Sequence, residues 1–163
     1  MKRIILISIL TLIIDIISKQ LVLNLMIEYQ SINIIPGLFN LTLTKNTGIA
    51  FSFLEGKLPL IIIMTMLIIF IILKYLKTTK PNKYESICYG LIIGGAIGNL
   101  LDRIIYHYVI DFLDFKIFNY SFPIFNLADT AIVIGVILLI ILSVIEESRK
   151  NNENNSPRKH KNR

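Results

Sequence analysis

Cysteine, histidine and tryptophan are nearly missing from this chain. The single Cys88 excludes an internal disulfide and a thiolate zinc cluster. Two histidines, His107 and His160, and no HExxH leave no basis for a His-based metal site. No metal or nucleotide motif occurs, so no cofactor is expected. Tryptophan is absent altogether. Acids are few as well, 11 against 17 Lys and Arg, but the basic residues cluster, so the formal net charge of +6 describes no one surface. What fills the chain is apolar: 54% hydrophobic residues and a mean hydropathy of +0.67. That is too apolar for an ordinary soluble domain and points to an integral membrane protein.

Four apolar runs can cross a bilayer, which needs roughly 20 residues of helix. They fall at about 4–27, 58–76, 87–105 and 124–145. The first starts like a signal peptide, but no A-x-A cleavage site follows, so it reads as an uncleaved span. Residues 1–148 then form a membrane domain, and 149–163, polar and Asn-rich, read as a disordered basic tail whose role is to fix topology rather than to bind nucleic acid. The Lys/Arg bias places both termini inside. Twelve basic residues then lie on the inner face and four (Lys45, Lys57, Arg103, Lys116) on the outer.

Polar residues interrupt this pattern in few places. Asp15 and Lys19 lie four apart on one face of the first span, acid first, and read most simply as an ion pair within that helix. Gly90, Gly94 and Gly98 form a small-residue stripe that lets another helix approach closely. Asn99, Asp102 and Arg103 share a face at the end of the third span, where Asp102 beside Arg103 reads first as a structural ion pair. Between the spans, LTLT (Leu41 to Thr44), which follows the Pro36-Gly37 turn, and VIDFLDFKIF both alternate with period two, as half-buried strands do. The aromatics from Tyr106 to Phe122, including Phe112, Phe115 and Phe118, suit an interfacial belt. Asp129 falls at the mouth of the fourth span. An ionisable group there is costly and is a functional-site hypothesis by default.

The topology brings Asp111, Asp129, Asn46, Asn99, Asp102 and Asn126 to the outer face. Two close carboxylates do not both ionise cheaply, so one holds a proton. The ionised one can take a proton from water and the neutral one can hydrogen-bond a carbonyl, which is peptide hydrolysis without a covalent intermediate. Either carboxylate can hold the shared proton.

Five ordered motifs now form one pattern: DIISK (Asp15 to Lys19), KNTGIAF (Lys45 to Phe51), GGAIGNLLDR (Gly94 to Arg103), VIDF (Val109 to Phe112) and FPIFNLADT (Phe122 to Thr130). The chain resembles the lipoprotein signal peptidases (signal peptidase II), over nearly its whole length before the tail. The resemblance implies a catalytic pair, Asp111 and Asp129, with Asp15, Lys19, Asn46, Gly48, Asn99, Asp102, Arg103 and Asn126 supporting it or contacting substrate. It implies four transmembrane helices with a small extracytoplasmic β-cradle, an all-α polytopic membrane protein of the bacterial cytoplasmic membrane. The implied substrate is a diacylglyceryl-modified prolipoprotein, cut before its lipobox cysteine. A monomer in membrane lipid can hold every part. Thr130 and Ile49 stand where many members have Ser and Ala, and Asp114 is expected to be a bystander.

Two rivals bear weighing. Ser18-Lys19 hints at a serine protease with a lysine base, but adjacent helical residues point about 100° apart. A small proton-coupled transporter would place its acids near the midplane between internal repeats. Here the acids gather at one face and no repeat is visible.

Overall fold

The structure, a computed structural model, describes residues 1–48, 54–117 and 120–155. Ile49 to Phe51 of the KNTGIAF motif, Phe118, and tail residues 156–163 lie outside the described residues. In chain order the elements are α1 (Lys2–Leu25), β1 (Ser31–Ile35), β2 (Phe39–Asn46), α2 (Leu58–Thr78), α3 (Lys83–Ile105), β3 (Val109–Ile117), β4 (Tyr120–Ser121) and α4 (Leu127–Asn155). All four helices are long and apolar enough to cross a membrane. The fold is therefore that of an all-α polytopic membrane protein bearing a small sheet.

α3 is the central helix. It is amply buried while α2 is nearly bare, with only Ile61 and Leu76 buried. Small residues explain this position. A Cβ on Gly94 would sit 2.6 Å from the Ser8 carbonyl oxygen of α1. A Cβ on Gly98 would collide with the Asp15 carboxylate, and one on Gly95 with the Ala128 carbonyl of α4. The glycine stripe thus seats α1, and Gly95 on the next face seats α4.

The sheet is antiparallel, in the order β1-β2-β3-β4. The turn Ile35-Pro36-Gly37-Leu38 closes with Leu38 N–H donating to Ile35 O at 3.0 Å, and Gly37 takes φ +75°. Proline then glycine suits that turn, because its third residue needs positive φ. β1 is a strand that the alternation of LTLT and VIDF does not foretell. Under the sheet, Leu43, Ile110 and Met26 form a core that joins it to the end of α1. Phe112 is buried, and Phe115 stacks on Phe39 and Phe125 at 4.6 and 5.7 Å. These two aromatics therefore serve the sheet's packing, not an interfacial belt.

α4 continues to Asn155, so residues 149–155, assigned to a disordered tail from composition, are helical. Phe125 bonds both ways with Leu113 in an isolated bridge, its N–H to Leu113 O at 3.1 Å and its O from Leu113 N–H at 2.8 Å. That bridge lays the segment before α4 along β3 and decides where α4 begins.

Candidate active site at the junction of helices and sheet

Asn126 is the centre of the site. It is fully buried and caps α4: its Oδ1 accepts the Asp129 N–H at 2.9 Å, while Asp129 Oδ2 accepts the Asn126 N–H at 3.3 Å. This is a reciprocal capping box with Asp at its third helical position. The same Asn126 donates through Nδ2 to Asp111 Oδ1 at 2.7 Å. One side chain therefore fixes both carboxylates, one arriving on β3 and the other on the first turn of α4.

Each carboxylate has a second amide donor. Asn46 Nδ2 donates to Asp111 Oδ2 at 2.8 Å, and Asn99 Nδ2 donates to Asp129 Oδ1 at 2.7 Å. Asn99 Oδ1 accepts from Asn126 at 3.1 Å and from Lys19 Nζ at 3.0 Å. Asp111 is 1% exposed, whereas Asp129 is half-buried. Burial raises the Asp111 carboxyl to about pKa 7, the charge of Asp129 adds to this, and the Asn46 and Asn126 donors oppose it.

Beneath the pair lies a buried charge cluster. Lys19 Nζ is 2.8 Å from Asp15 Oδ2 and 2.9 Å from Asp102 Oδ2. Asp15 Oδ1 accepts the Ala128 N–H of α4 at 3.0 Å, and Asp102 Oδ2 accepts the Ile110 N–H of β3 at 3.2 Å. The Asp15–Lys19 pair is thus not confined to its own helix. It ties α1, α3, α4 and β3 together just below the carboxylates.

Arg103 corrects its sequence reading. It forms no ion pair with Asp102 among the described residues. Its Nη2 donates to the Gly48 carbonyl at 2.8 Å, holding the NTG turn, while Asn46 Oδ1 accepts the Gly48 N–H at 3.0 Å. Its Nε is buried without a hydrogen-bond partner. Asp114 faces away from the site, where its Oδ2 accepts from Asn40 at 3.2 Å and Thr42 at 2.9 Å. Ser18 spends its hydroxyl on the Asp15 carbonyl at 2.8 Å, and Lys19 is committed to the cluster, so the two form no nucleophile–base pair.

All ten residues singled out by motif come together at the cradle end of the bundle. The sequence reading missed the backbone groups of Ala128 and Ile110, because no residue pattern marks a main-chain donor. The site opens into a cavity of about 1280 Å³. Its polar end holds Asn46, Gly48, Arg103, Asp111 and Asp129, and its walls are apolar side chains of α3 and α4 such as Ile92, Ala96, Ile132 and Val133. No group of three or more His, Cys, Asp or Glu among the described residues could hold a metal.

Four apolar helices under a small sheet, with carboxylates gathered at one end, define a polytopic membrane protein whose site lies where helices meet sheet. The family model described as signal peptidase (SPase) II matches residues 7–145. The chain is 42% identical over 148 residues to the lipoprotein signal peptidase of Haemophilus ducreyi, covering 88% of this chain and 91% of that one. It is 37% identical over 145 residues to that of Staphylococcus haemolyticus, covering 88% and 92%. A solved bacterial membrane enzyme, determined by the in meso method at 2.3 Å, superposes with a TM-score of 0.84 at 35% identity over 92% of each chain. This chain belongs to the signal peptidase II family, a family of proteases.

Proposed function

We propose that this protein is an aspartic endopeptidase that cuts diacylglyceryl-modified prolipoproteins just before the lipid-bearing cysteine, with Asp111 and Asp129 as the catalytic pair. The observation that carries the reading is Asn126, whose amide and N–H hold both carboxylates at the polar end of a large, largely apolar cavity. A cavity of this size and lining suits a lipidated peptide. The relatives' name, lipoprotein signal peptidase, supports the same substrate class.

Asp111, the more deeply buried, keeps the shared proton and donates a hydrogen bond to the scissile carbonyl. Asp129, open to the cavity, takes a proton from water as the water oxygen attacks the carbonyl carbon. A gem-diol forms. Asp129 then gives its proton to the leaving amide nitrogen, the C–N bond breaks, and Asp111 recovers a proton from the diol. The products are a signal peptide with a new carboxyl end and a lipidated cysteine with a free amino group. Arg103 Nε, buried and unpartnered, is placed to hold a substrate carbonyl. The basic residues support an orientation in the bacterial inner membrane with both termini inside and the site on the far face.

The test is cleavage of a diacylglyceryl-modified prolipoprotein by the purified protein in detergent with lipid. Wild type and Ser18→Ala should release a product beginning at the lipidated cysteine. Asp111→Asn and Asp129→Asn should each stay folded and lose nearly all turnover. A wild type that never cuts this substrate, or an Asn variant with near-normal turnover, sinks the reading.

A further inference from the structure

At the end of the bundle away from the cradle, the end of α2, the loop that follows it, α3 and α4 line a second, open pocket of about 290 Å³ that the peptidase chemistry leaves unused. Its lining carries both signs of charge: Lys80, Glu85 and Glu146, with the phenols of Tyr75 and Tyr89 between them. Lys80 forms no ion pair among the described residues. Glu85 spends one oxygen, Oε2, on the Asn82 N–H at 2.8 Å, and Glu146 meets Lys150 at 2.7 Å. The Tyr75 and Tyr89 rings lie 6.1 Å apart.

The level of this notch matters. The apolar run of α2 ends at Leu73, that of α4 ends at Ile145, and α3 starts at Lys83, so the notch sits where hydrocarbon gives way to headgroups. Both cavities open between α2 and α4 with α3 as their floor. Thr65 and Ile68 face Ile132 and Val133 around the first, and Tyr75 and Thr79 face Leu139 and Ser143 around the second.

We propose that the notch is a binding site for a phospholipid with a primary-ammonium headgroup. The phosphate meets Lys80, and the ammonium meets Glu85, Glu146 and the tyrosine rings, which favour cations over their faces. A purely anionic headgroup would face the two glutamates. A cationic peptide would face Lys80 and Lys150. A zwitterion with N–H donors matches both signs.

Delipidated full-length protein is mixed in detergent with equal amounts of phosphatidylethanolamine, phosphatidylglycerol and phosphatidylcholine, and bound lipid is counted by native mass spectrometry. Wild type should retain phosphatidylethanolamine over each of the others by about fivefold, the scale of two part-exposed ion pairs. Glu85→Gln with Glu146→Gln should abolish the preference. Glutamine still serves the capping box at position 85, so α3 keeps its start. Glu146→Gln alone, on an exposed helix face, should reduce the preference by about half. Equal retention of the three lipids by wild type, preference for phosphatidylglycerol, or a preference that survives in the double variant overturns the assignment. Prolipoprotein cleavage is a separate readout, so failure of the lipid site and failure of the peptidase reading are distinguishable.

Discussion

Lys19→Met tests the buried charge cluster. The ammonium sits 2.8 Å from Asp15, 2.9 Å from Asp102 and 3.0 Å from Asn99 Oδ1. Lys19 and Asp15 are 1% exposed and Asp102 is 6%. Methionine fills nearly the same volume, so the loss is electrostatic rather than a cavity. Two carboxylates would be left buried and facing each other without their cation. Breaking a buried pair in this way costs about 3–5 kcal/mol. Asp15 also holds the Ala128 N–H, and Asp102 holds the Ile110 N–H next to Asp111, so loosening the cluster should lower turnover as well. Equilibrium unfolding of the purified protein in detergent measures the first effect and prolipoprotein cleavage the second. The triple variant Asp15→Asn, Lys19→Met, Asp102→Asn, which carries no buried charge at these positions, should recover most of the lost stability. A Lys19→Met protein within about 1 kcal/mol of wild type would refute the reasoning, because that is the scale of an exposed pair.

Four further outcomes follow from the same geometry. Gly94→Ala puts a Cβ 2.6 Å from the Ser8 carbonyl and 2.8 Å from Thr11 Cβ, so it should cost about 1–3 kcal/mol by unfolding and loosen α1 from α3. Asp114→Asn weakens two hydrogen bonds that join β3 to β2, so stability should fall by about 1 kcal/mol while cleavage stays within about twofold of wild type. The pH profile follows from Asp111, whose carboxyl is raised to about 7 and so loses its proton as pH rises through that value. A mechanism that needs this proton should lose activity on the alkaline side of neutrality. Asn46→Ala removes a donor that favours the carboxylate, raises the pKa further, and should move the alkaline limb to higher pH. A limb that moves to lower pH contradicts this.

Much of this arrangement could be read from the chain, and the parts that could not share a physical cause. The four spans and the strands around LTLT and VIDF were legible because apolar length and period-two alternation are local properties. Asn126 and Asp129 were legible as sharing a face, and their spacing is that of a capping box. Asp102 was not legible as a partner of Lys19, because its neighbour in sequence is Arg103 and its partner in space is on α1. Arg103 was misjudged for the same reason, since the carbonyl it holds belongs to Gly48. β1 has no clear alternation and all of its residues are exposed, so burial leaves no imprint on it. α4 runs on to Asn155, past the apolar span that ends near Ile145, because composition reports the end of the membrane, not the end of the helix.

The most direct test of the central claim is a double-mutant cycle on the carboxylates, with turnover of a diacylglyceryl-modified prolipoprotein measured for Asp111→Asn, Asp129→Asn and both together. Groups that share one proton act as a unit, so each single change should cost about 10²–10⁴-fold. The double variant should then be little slower than the slower single variant. Losses that multiply in the double variant would mean that Asp111 and Asp129 act independently, and near-normal turnover in either single variant would remove that residue from the reaction.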